Sequence, residues 1–143
     1  MRVVFDTNIL VLSQMGDPGT AIMRAALEPQ LPEPLDFFYS EATWREYWAV
    51  LTRLSARNPE VFYPEEMHRF LSLVEQRGHR IQPTLTLDAC SHAPDNRFLE
   101  CAVGAQAEYL VTVNSQHFPA EFRGVKTVLP YQFYALLFTQ APP

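Results

Sequence analysis

Four polar residues carry the chemistry this chain can offer. Asp6 ends the apolar run Val3-Val4-Phe5, and Glu46 sits among Trp44, Tyr47 and Trp48. Asp95 opens a stretch with apolar residues at helical spacing, and Asn114 closes the run Leu110-Val111-Thr112-Val113. Carboxylates forced together repel one another, and an ionised acid is costly to bury unpaired. A divalent cation resolves that conflict. All-oxygen donors suit Mg²⁺ or Mn²⁺, which keep several waters and share substrate phosphate oxygens. Such a site activates a water for in-line attack on a phosphodiester and neutralises charge at the phosphate. No Ser or Cys with a convincing His partner offers a nucleophilic alternative. Read alone, Asp6 serves equally well as a helix cap, and a mid-helix Glu is ordinarily solvated or in an i,i+4 pair. The elements around them decide whether the acids meet.

Val3-Val4-Phe5 reads as a short buried parallel strand, with a helix over 7–15 stopping at Gly16-Asp17-Pro18-Gly19. Thr20 is placed to cap a second helix carrying Ile22, Met23, Ala26 and Leu27, and Pro29, Pro32 and Pro34 end it in an extended linker. Phe37-Phe38-Tyr39 is a second strand. Ser40 caps a long helix to about Leu54, in which Trp44, Tyr47, Trp48, Leu51 and Leu54 repeat at three and four. Pro64-Glu65-Glu66 starts another helix, which Gly78 ends. Residues 79–83 read as a third strand, 87–94 as loop, 95–106 as helix and 108–113 as strand. A polar turn follows at 114–117, then a last strand at 125–129 and a short aromatic helix at 130–138. Strand and helix alternate, which predicts a three-layer α/β/α sandwich around a mainly parallel sheet. In such sheets strand C-termini and the following helix starts share one edge, where ligands bind. Asp6, Asp95 and Asn114 can converge there, with Glu46 reaching in from a neighbouring helix.

At 143 residues the chain is one domain over 1–143, long enough for a real core. Its net charge of −5 and pI of about 5.3 argue against a whole-surface electrostatic nucleic-acid binder, though not against a local basic groove. Ten of the eleven basic residues are Arg, which suits bidentate phosphate contacts; a codon bias of the source genome is the alternative cause, so the excess alone proves nothing. Cys90 and Cys101 have no zinc-ligand spacing, so a reduced setting is the default. No apolar run approaches the ~20 residues of a membrane span, and a strand directly after Met1-Arg2 leaves no room for a signal peptide. A soluble cytoplasmic protein is the expectation.

The chain resembles the PIN-domain family, the nuclease fold of many prokaryotic toxin ribonucleases of the VapC type. The matching pieces are Val4-Phe5-Asp6-Thr7-Asn8-Ile9-Leu10, Ser40 to Glu46 with Tyr47, and Asp95-Asn96-Arg97-Phe98-Leu99-Glu100-Cys101-Ala102. The last is 107–114 with His117-Phe118-Pro119. Each is weak alone; the ordered set across almost the whole chain is far more specific. Two departures stand out. The fourth family acid is replaced by Asn114, which brings a carbonyl but no charge and puts a second metal in doubt. Before Asp95, where related sequences tend to have Arg-Asp-Pro, this one reads Ser91-His92-Ala93.

The resemblance implies a Mg²⁺- or Mn²⁺-dependent endoribonuclease that hydrolyses RNA with a metal-activated water, as the toxin of a toxin–antitoxin pair. Asp6, Glu46 and Asp95 would bind the metal and Asn114 would complete the catalytic set. Thr112 would hydrogen-bond near the acids. Asn8 more naturally orders the strand–helix turn, with a supporting contact to Asp6 as its functional reading. Arg45, Arg53 and Arg97 flank the site as phosphate contacts, and single-stranded or looped RNA would be the substrate. A small antitoxin would lay a segment over the acids. A homodimer would form through the N-terminal apolar helices or the C-terminal aromatic helix. His92 reads as an exposed loop residue, and His117 as packing beside Phe118. Trp44 and Trp48 read as core or dimer residues, and Glu41, Glu65, Glu66 and Glu100 as surface or helix-start acids. The rival reading is a catalytically weak or inactive PIN-like module that binds RNA or a protein partner, motivated by Asn114 and the acidic pI. A haloacid-dehalogenase-type phosphatase fits worse. It needs a second Asp where Asn8 stands and a catalytic Lys, and the only Lys is Lys126.

Overall fold

In the computed structural model, which describes residues 1–28 and 35–138, the central strand is β1 (Arg2–Phe5). Val3, Val4 and Phe5 are fully buried. Successive strand side chains point to opposite faces, so both faces of the sheet are covered. The linker read at Pro29, Pro32 and Pro34 lies outside the described residues. The remaining strands are β2 (Asp36–Tyr39), β3 (His79–Arg80), β4 (Tyr109–Val111), β5 (Glu121–Phe122) and β6 (Val125–Val128), in the order β3-β2-β1-β4-β6-β5. All pairs are parallel except β5 with β6. The helices are α1 (Thr7–Ser13), α2 (Gly19–Leu27), α3 (Glu41–Arg57), α4 (Pro64–Arg77), α5 (Asn96–Gly104) and α6 (Pro130–Phe138). The result is the α/β/α sandwich that strand–helix alternation predicts. No helix among the described residues is long and apolar enough to cross a membrane.

Three local departures have physical reasons. Thr20 does not cap α2, which begins at Gly19 after Pro18; its hydroxyl instead donates to the Ser13 carbonyl at 2.8 Å, tying α2 to α1. Gly19 permits that crossing, since a Cβ there would lie 2.8 Å from the backbone of Leu12 and Ser13. The strand expected over 79–83 keeps only His79–Arg80, because it sits at the sheet edge beside β2 alone. The last strand expected at 125–129 is β6, but β5 and its antiparallel pairing with β6 have no counterpart in the sequence pattern: the turn between them holds Arg123 at φ 48° and Gly124 at φ 88°, and β5 is too short to show a period.

The site depends chiefly on β1, β4, α3 and α5. Ser40 caps α3 through a capping box with Thr43, as its sequence position suggests. The hydroxyl of the fully buried Tyr47 donates to the Phe5 carbonyl. That bond pins α3 to the end of β1, beside Glu46 and one residue before Asp6. Trp44 packs at the core edge with its ring 5.6 Å from Tyr39. Trp48, by contrast, is 44% exposed and lies against His68, so it is not a core residue. Glu100 also departs from its surface reading. It is buried, accepting from the Leu87 amide at 2.8 Å and from Arg97 at 2.6 Å.

Candidate active site

Asp6 leaves β1 at its carboxyl end and is 5% exposed. Its Oδ1 accepts the Thr7 amide at 2.8 Å, so the capping role and the site role coincide. Oδ2 accepts the Thr112 hydroxyl at 2.7 Å and the Asn8 amide at 3.2 Å. Asn8 also takes the Val113 amide at 3.2 Å, and Thr112 takes that of Asn114 at 3.0 Å. These bonds clasp the ends of the adjacent parallel strands β1 and β4, with Asp6 at the clasp.

Asp95 reaches the same place from another direction. It closes a 3₁₀ turn (Ala93–Asp95) ahead of α5, so the helix expected from 95 begins at Asn96. Asn96 is 2% exposed, and its side-chain carbonyl accepts the amides of Ala89 and Cys90 at 2.9 and 3.0 Å. Its own amide donates to the Ala93 carbonyl at 3.0 Å. The loop before Asp95 is therefore anchored through one side chain. Asp95 then meets His117, whose ring N–H at Nδ1 donates to Oδ2 at 3.1 Å. Glu46 comes from α3 and accepts the Thr7 hydroxyl at Oε2.

Asp6, Glu46, Asp95 and Asn114 line one cavity of about 510 Å³. His92 and His117 line it too, their rings 5.5 Å apart, and so do Val11, Leu12, Met15, Val50, Leu54 and Val113. Arg45, Arg53 and Arg97 do not. Arg45 and Arg97 line a neighbouring cavity and Arg53 lines neither. Sequence reasoning set His92 and His117 aside and passed over Thr7 and Asn96. The signal for His117 was its place three residues after Asn114 at the end of the Val-Thr strand.

Burial is the main force on Asp6, raising its carboxyl from 3.8 to about 6. The Thr112 hydroxyl and the Thr7 amide oppose that rise, while the charges of Asp95 and then Glu46 add to it. No Lys or Arg side chain lines the cavity to offset the acids. As the side chains stand, no group of three or more His, Cys, Asp or Glu among the described residues is arranged to hold a metal ion. Glu46 is turned onto Thr7 and Asp95 onto His117. In chemical type the donors fit a hard divalent cation of the kind bound through one or two carboxylates with the rest water. Asp6 and Asp95 would be its principal ligands, with Glu46 adding to them once released from Thr7.

The architecture is a parallel sheet covered by helices, with Asp6 at the carboxyl end of β1 and with Glu46 from α3 and Asp95 from the 3₁₀ turn lining the same cavity. The PIN domain family matches residues 2–116, and the chain belongs to it. PIN domains are generally nucleases and generally use divalent metal ions. Among solved structures, the crystal structure of VapBC2 from Rickettsia felis bound to a DNA fragment from their promoter contains a similar chain. It is 14% identical with a TM-score of 0.57, over 90% of this chain and 98% of that one. At that identity the likeness is one of fold. No curated protein matches by sequence.

Proposed function

We propose that this PIN domain is a Mg²⁺- or Mn²⁺-dependent endoribonuclease acting as the toxin of a toxin–antitoxin pair. The observation that carries the reading is the convergence of Asp6, Glu46 and Asp95, from three separate elements, on one cavity without a Lys or Arg. A bound divalent cation supplies an activated water and charge neutralisation at the phosphodiester. The chain's own residues prepare that chemistry. Thr112, Asn8 and the Thr7 amide hold Asp6 in one orientation. His117 holds Asp95, and Asn96 holds the loop that presents it.

The apolar half of the cavity, with Met15 67% and Val113 41% exposed, suits an antitoxin segment laid beside the acids. The similar chain from Rickettsia felis belongs to a VapBC complex, which supports such a partner. Cytoplasmic location and homodimerisation belong to the same reading.

The engagement of Glu46 by Thr7 and the uncharged Asn114 favour a second reading, in which the domain binds RNA or a partner without efficient cleavage. One experiment separates the two. A mixed structured-RNA pool is incubated with the purified protein in Mn²⁺, in Mg²⁺ and in EDTA, beside Asp6→Asn and Asp95→Asn variants checked for folding by circular dichroism. Metal-dependent cleavage lost in both folded variants supports the nuclease. An inert wild type in every metal, or variants that cut equally well, overturns it.

A further inference from the structure

Two segments that bring an acid to the acid cavity, α3 with Glu46 and the 3₁₀ turn at Asp95 running into α5, each bring an arginine to the next cavity. On α3 Arg45 directly precedes Glu46, and on α5 Arg97 follows Asp95 by two residues. Arg45 and Arg97 line a polar cavity of about 460 Å³, and Arg80 from the end of β3 joins them there. Three guanidiniums from three elements therefore share one groove in a chain of net charge −5. Two acids face them. Glu41 lies 2.6 Å from Arg45 and 4.0 Å from Arg80, and Glu100 lies 2.6 Å from Arg97. The balance is one positive charge. The arginine side chains are 76%, 54% and 45% exposed, in the order Arg45, Arg80, Arg97. The pairs to Glu41, itself 59% exposed, contribute little, so a phosphate, which takes a guanidinium fork in bidentate fashion, displaces them at small cost, whereas Arg97 keeps its bond to the buried Glu100 and offers its remaining N–H groups.

We propose that this arginine groove binds phosphates of the RNA strand next to the one held at the acid cavity. The inference rests on the nuclease reading for its substrate class. The acids then receive only the scissile phosphate, while the repulsion between them and the rest of the backbone is offset one cavity away. That division accounts for the absence of Lys and Arg from the acid cavity and for their gathering beside it. Acidic side chains of a protein partner are the competing ligand. RNA is favoured because α3 lines both cavities and Arg97 in the groove stands two residues after Asp95 in the acid cavity, so one strand crossing α3 toward the start of α5 meets both.

The test is binding of a fluorescein-labelled single-stranded RNA of mixed sequence, followed by anisotropy in EDTA so that cleavage does not intervene. Affinity is measured between about 50 and 300 mM NaCl for the wild type, for Arg45→Gln/Arg80→Gln/Arg97→Gln, and for Arg24→Gln/Arg69→Gln/Arg77→Gln. The second triple removes the same charge from α2 and α4. Each phosphate contact on a single strand adds about 0.7 to the slope of log affinity against log salt. The groove variant is expected to lose about 2 from that slope and at least tenfold in affinity near 100 mM salt, while the control loses less than about 0.7. Equal losses in the two triples, an unchanged slope in the groove variant, or no RNA binding by the wild type overturns the proposal. So does a groove variant that keeps RNA but fails to bind a Glu-rich peptide that the wild type binds. The two readings fail separately. Groove-dependent binding without metal-dependent cleavage removes the nuclease and leaves the groove, whereas cleavage with an unchanged KM in the groove variant removes the groove and leaves the nuclease.

Discussion

Replacing Asp6 by Asn should stabilise the metal-free protein at neutral pH relative to acid pH, against the usual effect of altering a buried residue. The carboxyl titrates near 6 in the folded chain against 3.8 ordinarily, chiefly because it is buried. A folded value raised above the unfolded one means that the folded state prefers the protonated form. The associated stability is fully present below about pH 4 and is lost as pH rises through about 6. A gap of roughly two pH units, at about 1.4 kcal/mol each, puts the loss near 3 kcal/mol by about pH 7.5. The side-chain amide of the Asp6→Asn variant does not ionise, so the variant escapes that loss. It carries a separate penalty, because its Nδ2 would face the Asn8 amide that donates to Oδ2 at 3.2 Å in the wild type. That penalty is the same at every pH. The variant-minus-wild-type difference should therefore rise by about 3 kcal/mol between about pH 4 and about pH 7.5, or about 10 °C in Tm for a chain of this size. Thermal melts in EDTA across that range measure it, and the subtraction cancels the shared groups that do not interact with Asp6. A Tm difference constant to within about 2 °C would contradict this account of Asp6. Millimolar Mn²⁺ should then restore stability to the wild type alone, by about 2.7 kcal/mol at about a hundred times Kd.

Three further outcomes are expected. Asn96→Ala should cost about 3 kcal/mol in urea unfolding, because the half-buried amide of Ala89 and the buried amide of Cys90 lose their acceptor. Gly19→Ala should cost about 1–3 kcal/mol through overpacking against the backbone of α1, visible as a lower Tm with the pH dependence unchanged. In the native protein, Cys90 and Cys101 should resist a thiol reagent at about pH 8 and react on unfolding. Both are buried, and burial pushes their thiols up to about 11 and about 12.

Much of the frame could be read from the chain because its signals are local. An apolar β-favouring triplet ending on Asp6, the Ser40 cap ahead of an aromatic periodicity, and Pro64 ahead of two acids each act within a few residues. Alternating periods then leave a covered parallel sheet as the consistent architecture. The edge strand β3 came out shorter than its pattern suggests and β5 left no pattern, because two residues hold no period.

The placement of the candidate acids was legible for the same reason, since Asp6 and Asp95 stand at element boundaries that the sequence marks. What those acids touch was not. Asp6 with Thr112 is a pairing across 106 positions, Thr7 with Glu46 spans 39, and His117 with Asp95 spans 22. Such partners depend on strand order and on helix rotation, which carry no local mark. Rotation also sorted the arginines. Neighbours on a helix lie about 100° apart, so Arg45 and Glu46 adjoin in sequence yet serve different cavities. Local pattern was enough to say which acids stand at strand ends and which helices follow them. Packing of the whole domain was needed to bring those acids into a cavity without Lys or Arg, and to bring Arg80 from a distant edge strand to complete a basic groove beside it. Side-chain direction is set by how entire elements pack, not by the order of neighbours along the chain.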